Sequence, residues 1–393
     1  MQYGRSAFQS DAERLYCITT LCVVTSNDNL KTKPMSTTTL TQSTWPRLGL
    51  RRLVLFILIA ALLGAFLLSL AFGSVRIPLG DVLQILTGGT PTKATWTTIV
   101  LNFRLPKALT AILAGGALAV SGLQMQTLFR NPLADPYILG VSSGASLGVA
   151  LVMLTTGAAA TKVVGSLGLY GDLGLVIAAS LGAALVLGLV LLIARHVQSV
   201  LTLLILGLMF GYLTSALVSL LIYFSLPERI QSFSLWGAGS FGGVTWDQLQ
   251  IFAPVILLGL AIVYLLPKAL NAMLLGDTYA RSLGVDVKQT RRWIIGSAAL
   301  LAGAATAFCG PIGFLGVAVP HLCRTLFNTA DHRVLVPTSM LFGATVALLA
   351  DLIAQLPGSQ TVLPVNVITS LFGVPVIIWM LLRQQQLRST FAG

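Results

Sequence analysis

Three short stretches of this 393-residue chain hold residue types at spacings that chemistry uses. Gly140-Val141-Ser142-Ser143-Gly144 fits G-x-S-x-G, the sharp turn that lifts a nucleophilic serine above a hydrolase sheet. Gly237-Ala238-Gly239-Ser240-Phe241-Gly242 fits G-x-G-x-x-G, a phosphate-binding turn when it follows a strand and opens a helix. The third stretch, "NAMLLGDTYARSLGV" (271–285), is polar but keeps apolar residues at Met273, Leu274, Tyr279, Leu283 and Val285. That pattern suits two short amphipathic helices hinged near Gly276, laid on a membrane surface or into a partner's groove. Other candidates are sparse. His196, His321 and His332 are too far apart in sequence for a local ligand cluster, and Cys17, Cys22, Cys309 and Cys323 lack C-x-x-C pairing. Neither a metal centre nor a disulfide framework is indicated. No Walker A sequence occurs, so ATP and its magnesium are expected on a separate subunit and no cofactor on this chain.

The elements that must hold these stretches decide between the readings. Hydrophobic residues make up 55% of the chain, charged residues 9%, and mean hydropathy is +0.88. A soluble domain carries about 25% charge, so this chain could not cover itself in water. A bilayer core needs about 20 apolar residues per helix. Such stretches lie near 52–73, 107–127, 139–157, 173–194, 200–224, 248–266, 293–310, 312–328, 335–355 and 365–382. No alternating strand pattern appears, and open backbone is prohibitive in lipid. The expected fold is all-α and polytopic, with ten transmembrane helices per subunit. In that frame Pro132 and Pro136 place a turn before Gly140 and an apolar helix after it. Gly144 and Gly148, four apart, then read as a close-packing helix face rather than part of a nucleophile elbow. Gly237–Gly242 falls in a loop between spans, which disfavours a Rossmann site.

Alternating the spans from a cytoplasmic residue 50 puts fourteen Lys and Arg residues inside and six outside, leaving residues 1–46 uncounted. The positive-inside rule thus accounts for the net charge of +12 without nucleic acid, with both termini cytoplasmic. Residues 1–48 read as a leader, disordered or an over-extended start; 49–388 form the transmembrane domain, with 267–292 as its long inside connection. "ILAGGALAVSG" (112–122) and "LLAGAATAFCG" (300–310) match at a constant offset that also pairs Arg104 with Arg292. Five spans separate the copies, so the second enters from the opposite side. Inverted repeats of this kind are a recurrent transporter design.

"RNPLADPYILGVSSGASLG", "LLGDTYARSLGVDV", "GPIGFLGVAVPHLCR", "DHRVLVP" and "GVPVIIW", in this order, resemble the FecCD/BtuC-type permeases of ABC importers. The resemblance runs from about residue 50 to 385. It implies the membrane-spanning subunit of an importer for ferric siderophores, haem or cobalamin, closest to the haem-uptake permeases. It also implies a homodimer in the bacterial inner membrane, two ATP-binding cassette subunits below and a periplasmic binding protein above. By the same resemblance, contacts to the ATPase fall on Gly276, Asp277, Ala280, Arg281, Leu283 and Gly284. A cytoplasmic gate falls on Asn131 and Leu133 with Ser199 and Val200; Gly207, Met209, Gly211 and Ser215 line the pathway; Arg104 and Lys107 meet the binding protein. Two departures count against cobalamin: Val362-Leu363-Pro364-Val365-Asn366 stands where cobalamin-type permeases have Glu-Leu-Pro-(Ile/Val)-Gly, and Gln355 replaces a basic docking position. The rival of another class is an ion-coupled secondary transporter, which would place ionisable residues at mid-membrane. Asp351 is the candidate acid inside a span.

Overall fold

The computed structural model describes residues 47–154, 172–194, 200–355 and 362–391. Among them every regular element is a helix. The long ones are α1 (Arg47–Ala71), α4 (Leu105–Phe129), α6 (Asp172–Ala194), α7 (Val200–Tyr223), α9 (Trp246–Tyr264), α12 (Val287–Cys309), α14 (His332–Ala354) and α15 (Val365–Phe391). Shorter ones are α2 (Leu79–Leu86), α3 (Ala94–Thr98), α5 (Val141–Met153), α8 (Pro227–Gly237), α10 (Pro267–Leu274), α11 (Asp277–Ser282) and α13 (Leu315–Phe327). Among the described residues six helices are long and apolar enough to cross a bilayer, and four shorter apolar ones occupy the remaining expected spans.

Composition explains which helices are central. α3 runs through a π-helical turn (Ile99–Arg104) into α4, and 83% of the apolar window of that span is buried, against 11% for α7. α4 packs on α14, α12, α13 and α9. It can do so because its seam is built of small residues. A side chain on Gly115 would strike the Gly343 carbonyl, and one on Gly122 the Gly316 carbonyl. In lipid, where apolar tails compete equally for apolar faces, such close approach is what holds helices together. α7 is the reverse: Leu201, Ile205, Met209, Tyr212 and Leu220 are all exposed along it.

The inverted repeat is visible in the packing. α4 lies on α14 as its counterpart α12 lies on α6, and α5 pairs with α6 as α13 pairs with α14. α5 and α13 are both 13 residues long, too short to span alone, and each follows a lead-in that is not α-helical. The first lead-in does not simply turn at the end of the bundle, as its prolines suggest. Pro136 lies against Gly316, which itself touches Gly122, seven residues before the end of α4. The chain therefore folds back about 10 Å alongside α4 before α5 starts. There the Tyr137 hydroxyl donates to the Ile312 carbonyl (3.2 Å) and accepts from the Ile312 N–H (3.2 Å), joining the two lead-ins.

Candidate functional site

The segment after α9 forms the two short helices expected, α10 and α11, broken at Gly276. The break needs glycine, since φ there is +107°, a region L side chains rarely adopt. α10 turns Leu270 and Met273 into the core, so Met273 belongs to packing rather than to an outer face. The outward stripe is Leu275, Tyr279 and Leu283, exposed by 65%, 51% and 57% and spaced four apart. Ala280 is buried beneath, Arg281 is exposed, and Gly284 closes α11 with φ +81°. Beside the stripe, Arg130, Leu275, Gly276, Asp277, Thr278, Tyr279 and Ser282 line a shallow depression of about 490 Å³. Asp277, first residue of α11, faces two guanidinium groups: Arg291 at 2.9 Å and Arg130 at 3.4 Å.

Arg130 caps α4 in the left-handed region (φ 47°), and the 131–135 turn follows. The Asn131 side-chain oxygen accepts from the Leu133 N–H at 2.9 Å, a local closure that fixes the turn between two prolines. Asp135 accepts from the Tyr137 N–H at 2.8 Å and caps the following 3₁₀ turn. Burial nonetheless dominates its carboxyl and pushes its pKa up to about 6. Of the residues expected beside Asn131 and Leu133, Ser199 lies outside the described residues, and Val200 is described only as the first residue of α7.

The residues expected to line a pathway do not share one face. Gly207, Gly211 and Ser215, four apart, form one stripe of α7, and Gly207 is buried against the Ile138 carbonyl. Met209 points the opposite way and is 52% exposed. The helical period separates them: two residues is about 200° of rotation.

At the other end of the bundle the basic pair has internal partners. Arg104, 9% exposed, donates to the carbonyls of Leu70 (2.7 Å), Ala71 (3.0 Å) and Val75. It thus serves two carbonyls at the end of α1, Leu70 and Ala71, that no helical N–H can reach, and one in the segment that follows. Lys107 pairs with Asp351 at 2.9 Å, and Asp351 also accepts from the Gln355 amide at 2.7 Å. Sequence position alone puts both cations at a helix mouth and says nothing of these distant acceptors. Asn366, one of the departures, is likewise engaged: its side-chain oxygen accepts from the Gly313 N–H at 3.0 Å.

The two motifs that suggest catalysis are occupied by packing. Gly140 (φ 76°) ends a 3₁₀ turn and no strand precedes it; Gly144 meets Gly182, and Gly148 meets Ala178, across the α5–α6 contact. Gly239 and Ala238 give their carbonyls to the N–H groups of Val365 and Asn366, so the 237–242 loop is a brace for α15. Among the described residues no group of His, Cys, Asp and Glu could hold a metal ion.

Comparison with known proteins agrees with this architecture. The family model described as the FecCD transport family matches residues 57–383. The vitamin B12 import system permease protein BtuC of Klebsiella pneumoniae subsp. pneumoniae is 37% identical over 332 residues, covering 84% of this chain and 94% of the relative. The hemin transport system permease protein HmuU of Yersinia pestis is 38% identical over 347 residues, covering 88% and 98%. Among solved structures, an inward-facing ABC transporter described as of metal-chelate type superposes with a TM-score of 0.73 at 32% identity, covering 84% of this chain and 99% of that one. With the matched span taking in nearly every helix described above, the chain belongs to the FecCD transport family and is an ABC importer permease.

Proposed function

We propose that this permease moves an iron-bearing chelate, haem first, from periplasm to cytoplasm as a homodimer. In this reading ATP is hydrolysed on two separate cassette subunits, and the chain itself performs no covalent chemistry. The observation that carries the energy coupling is the Leu275–Tyr279–Leu283 stripe. It is apolar, exposed, and mounted on short helices pinned from below by buried Leu270, Met273 and Ala280. Such a surface suits a groove on a partner protein. The arginine-rich end then faces the cytoplasm, and the binding protein docks at the Lys107 end. The exposed face of α7 supports pairing of two copies along it. Against an ion-coupled mechanism, the Asp351 carboxylate is already neutralised by Lys107.

Alternating access needs two packings of the bundle whose balance shifts when nucleotide binds next door. The tight α4–α14 seam suits a rigid body, and the sparsely packed α7 suits the element that moves against it. Cobalamin is the second reading, because the B12 and hemin permeases match this chain to nearly the same degree. The deciding experiment reconstitutes the full transporter in nanodiscs with its cognate binding protein, then follows ATP hydrolysis and uptake with hemin, a ferric siderophore and cyanocobalamin. Stimulation by hemin is expected. Stimulation by cyanocobalamin alone overturns the assignment to an iron complex.

A further inference from the structure

Thr127 lies in the last turn of α4, and Arg130 is the left-handed residue that caps it. Each reaches one of the two short helices on either side of the Gly276 break. The Thr127 hydroxyl lies 2.7 Å from His332 Nε2, and His332 Nδ1 lies 2.7 Å from the Asn271 side-chain oxygen in α10. That oxygen also accepts from the His332 backbone N–H at 2.9 Å, while the Asn271 amide donates to Asp331 at 2.7 Å. Because the Asn271 oxygen can only accept, the ring proton belongs on Nδ1, and Nε2 accepts from the Thr127 hydroxyl, whose one proton it shares with the Leu123 carbonyl at 2.9 Å. Thr127 and His332 are both buried. On the other side of the break, Arg130 reaches Asp277 in α11 at 3.4 Å, at an exposed position.

The two links differ in stiffness. An exposed ion pair is weak and tolerates changes of geometry. A buried chain of hydrogen bonds is not so tolerant, since breaking any one leaves a polar group dry and unpaired. Thr127, His332 and Asn271 therefore tie α4, α14 and α10 to move as one body. Arg130 lets α11 follow on a looser tether. The residue after Arg130 begins the 131–135 turn, so any shift of the α4 end is delivered to Asn131 and Leu133.

We propose that the last turn of α4 is a lever gripped by both short helices of the 267–285 segment, with Thr127, His332 and Asn271 as positioning residues that make the 131–135 turn follow that segment. This rests on the reading that the segment docks on the ATP-binding subunit, and the experiment separates the two. In the assembled transporter carrying Leu133→Cys, the maleimide labelling rate at that site is read by peptide mass spectrometry, nucleotide-free and trapped with ATP and vanadate. The unaltered lever should give rates differing about tenfold between the two states, the scale of one hydrogen bond made or lost at a charged or buried group. Thr127→Val and His332→Leu should bring that ratio to about one, with the ATP-binding subunits still bound and hydrolysing, because a lost hydrogen bond uncouples without undocking. Thr127→Ser should restore it. Thr127→Val removes a single hydroxyl and decides the matter where His332→Leu does not fold. If Thr127→Val keeps the full nucleotide-dependent ratio, the lever is refuted even though docking stands. Docking itself fails if Leu283→Asp leaves the ATP-binding subunits attached.

Discussion

Replacing Lys107 by methionine keeps most of the side-chain volume but removes the ammonium 2.9 Å from Asp351. The carboxylate is 1% exposed and cannot turn to solvent, and its remaining described partner is the Gln355 amide. Stripping one partner from a buried pair costs about 3–5 kcal/mol. Lys107 is itself 19% exposed, so water can reach its vacated position and the low end, about 3 kcal/mol, is the better figure. At about 2–4 °C per kcal/mol, smaller for long chains, the midpoint of thermal unfolding should fall by about 5–10 °C. The buried thiols of Cys309 and Cys323 provide the assay, since a thiol-reactive dye reports their exposure as the bundle opens. Adding Asp351→Asn to Lys107→Met should recover most of the loss, because the orphaned charge is gone. A single variant as stable as the wild type, or a double variant no better than the single, would refute the reasoning. The stable double variant also tests docking: slowed association with the binding protein would show that Lys107 meets a carboxylate there as well.

The remaining predictions concern the other end and the topology. Asp135 binds its proton more tightly folded than unfolded, since its pKa is raised to about 6, so native stability falls as pH rises from about 4 to 6. Asp135→Asn, which keeps the cap on the Tyr137 N–H, should raise the unfolding midpoint at pH 7.5 and raise it much less at pH 4.5; an equal change at both pH values rules out the buried charge as its cause. In whole cells, Lys93→Cys should react with an impermeant maleimide from outside and Lys288→Cys only after lysis. Labelling of both from one side would invert the assigned orientation or break the ten-span count.

Much of this architecture is legible in the sequence because lipid imposes a coarse rule: about 20 apolar residues make a span, and small residues four apart make a seam. That rule finds the helices that fill the expected spans but not the short α2, α3 and α8, and Gly276 betrays the break between α10 and α11. It does not find partners that lie far away along the chain. Arg104 looks like a rim cation until Leu70, Ala71 and Val75 are seen to present carbonyls to it. Thr127 looks like an ordinary hydroxyl in an apolar helix, whose oxygen could bond only its own preceding turn, until His332 arrives from α14. Pro132, Asp135 and Pro136 read as a surface turn because polar and proline residues usually mark one. Their return alongside α4 depends on Gly316 leaving room for Pro136. The four pathway positions fall on more than one face of α7, since Met209 breaks the four-residue spacing that Gly207, Gly211 and Ser215 keep.

The central place of α4 also sets the order in which the protein can be completed during synthesis. Its polar groups find their partners late: Gln126 with Arg324 at 2.5 Å, Thr127 with His332, Lys107 with Asp351. All of those partners lie in the second half of the chain. At about 5–20 residues per second, α4 leaves the ribosome on the order of 10–50 s before they follow. During that interval a helix carrying Lys107, Gln124 and Gln126 sits in or beside the insertion machinery without their later partners, and each charge placed in lipid is costly. Nascent chains truncated before α14, which lack both His332 and Asp351, should therefore be the ones that membrane proteases recognise.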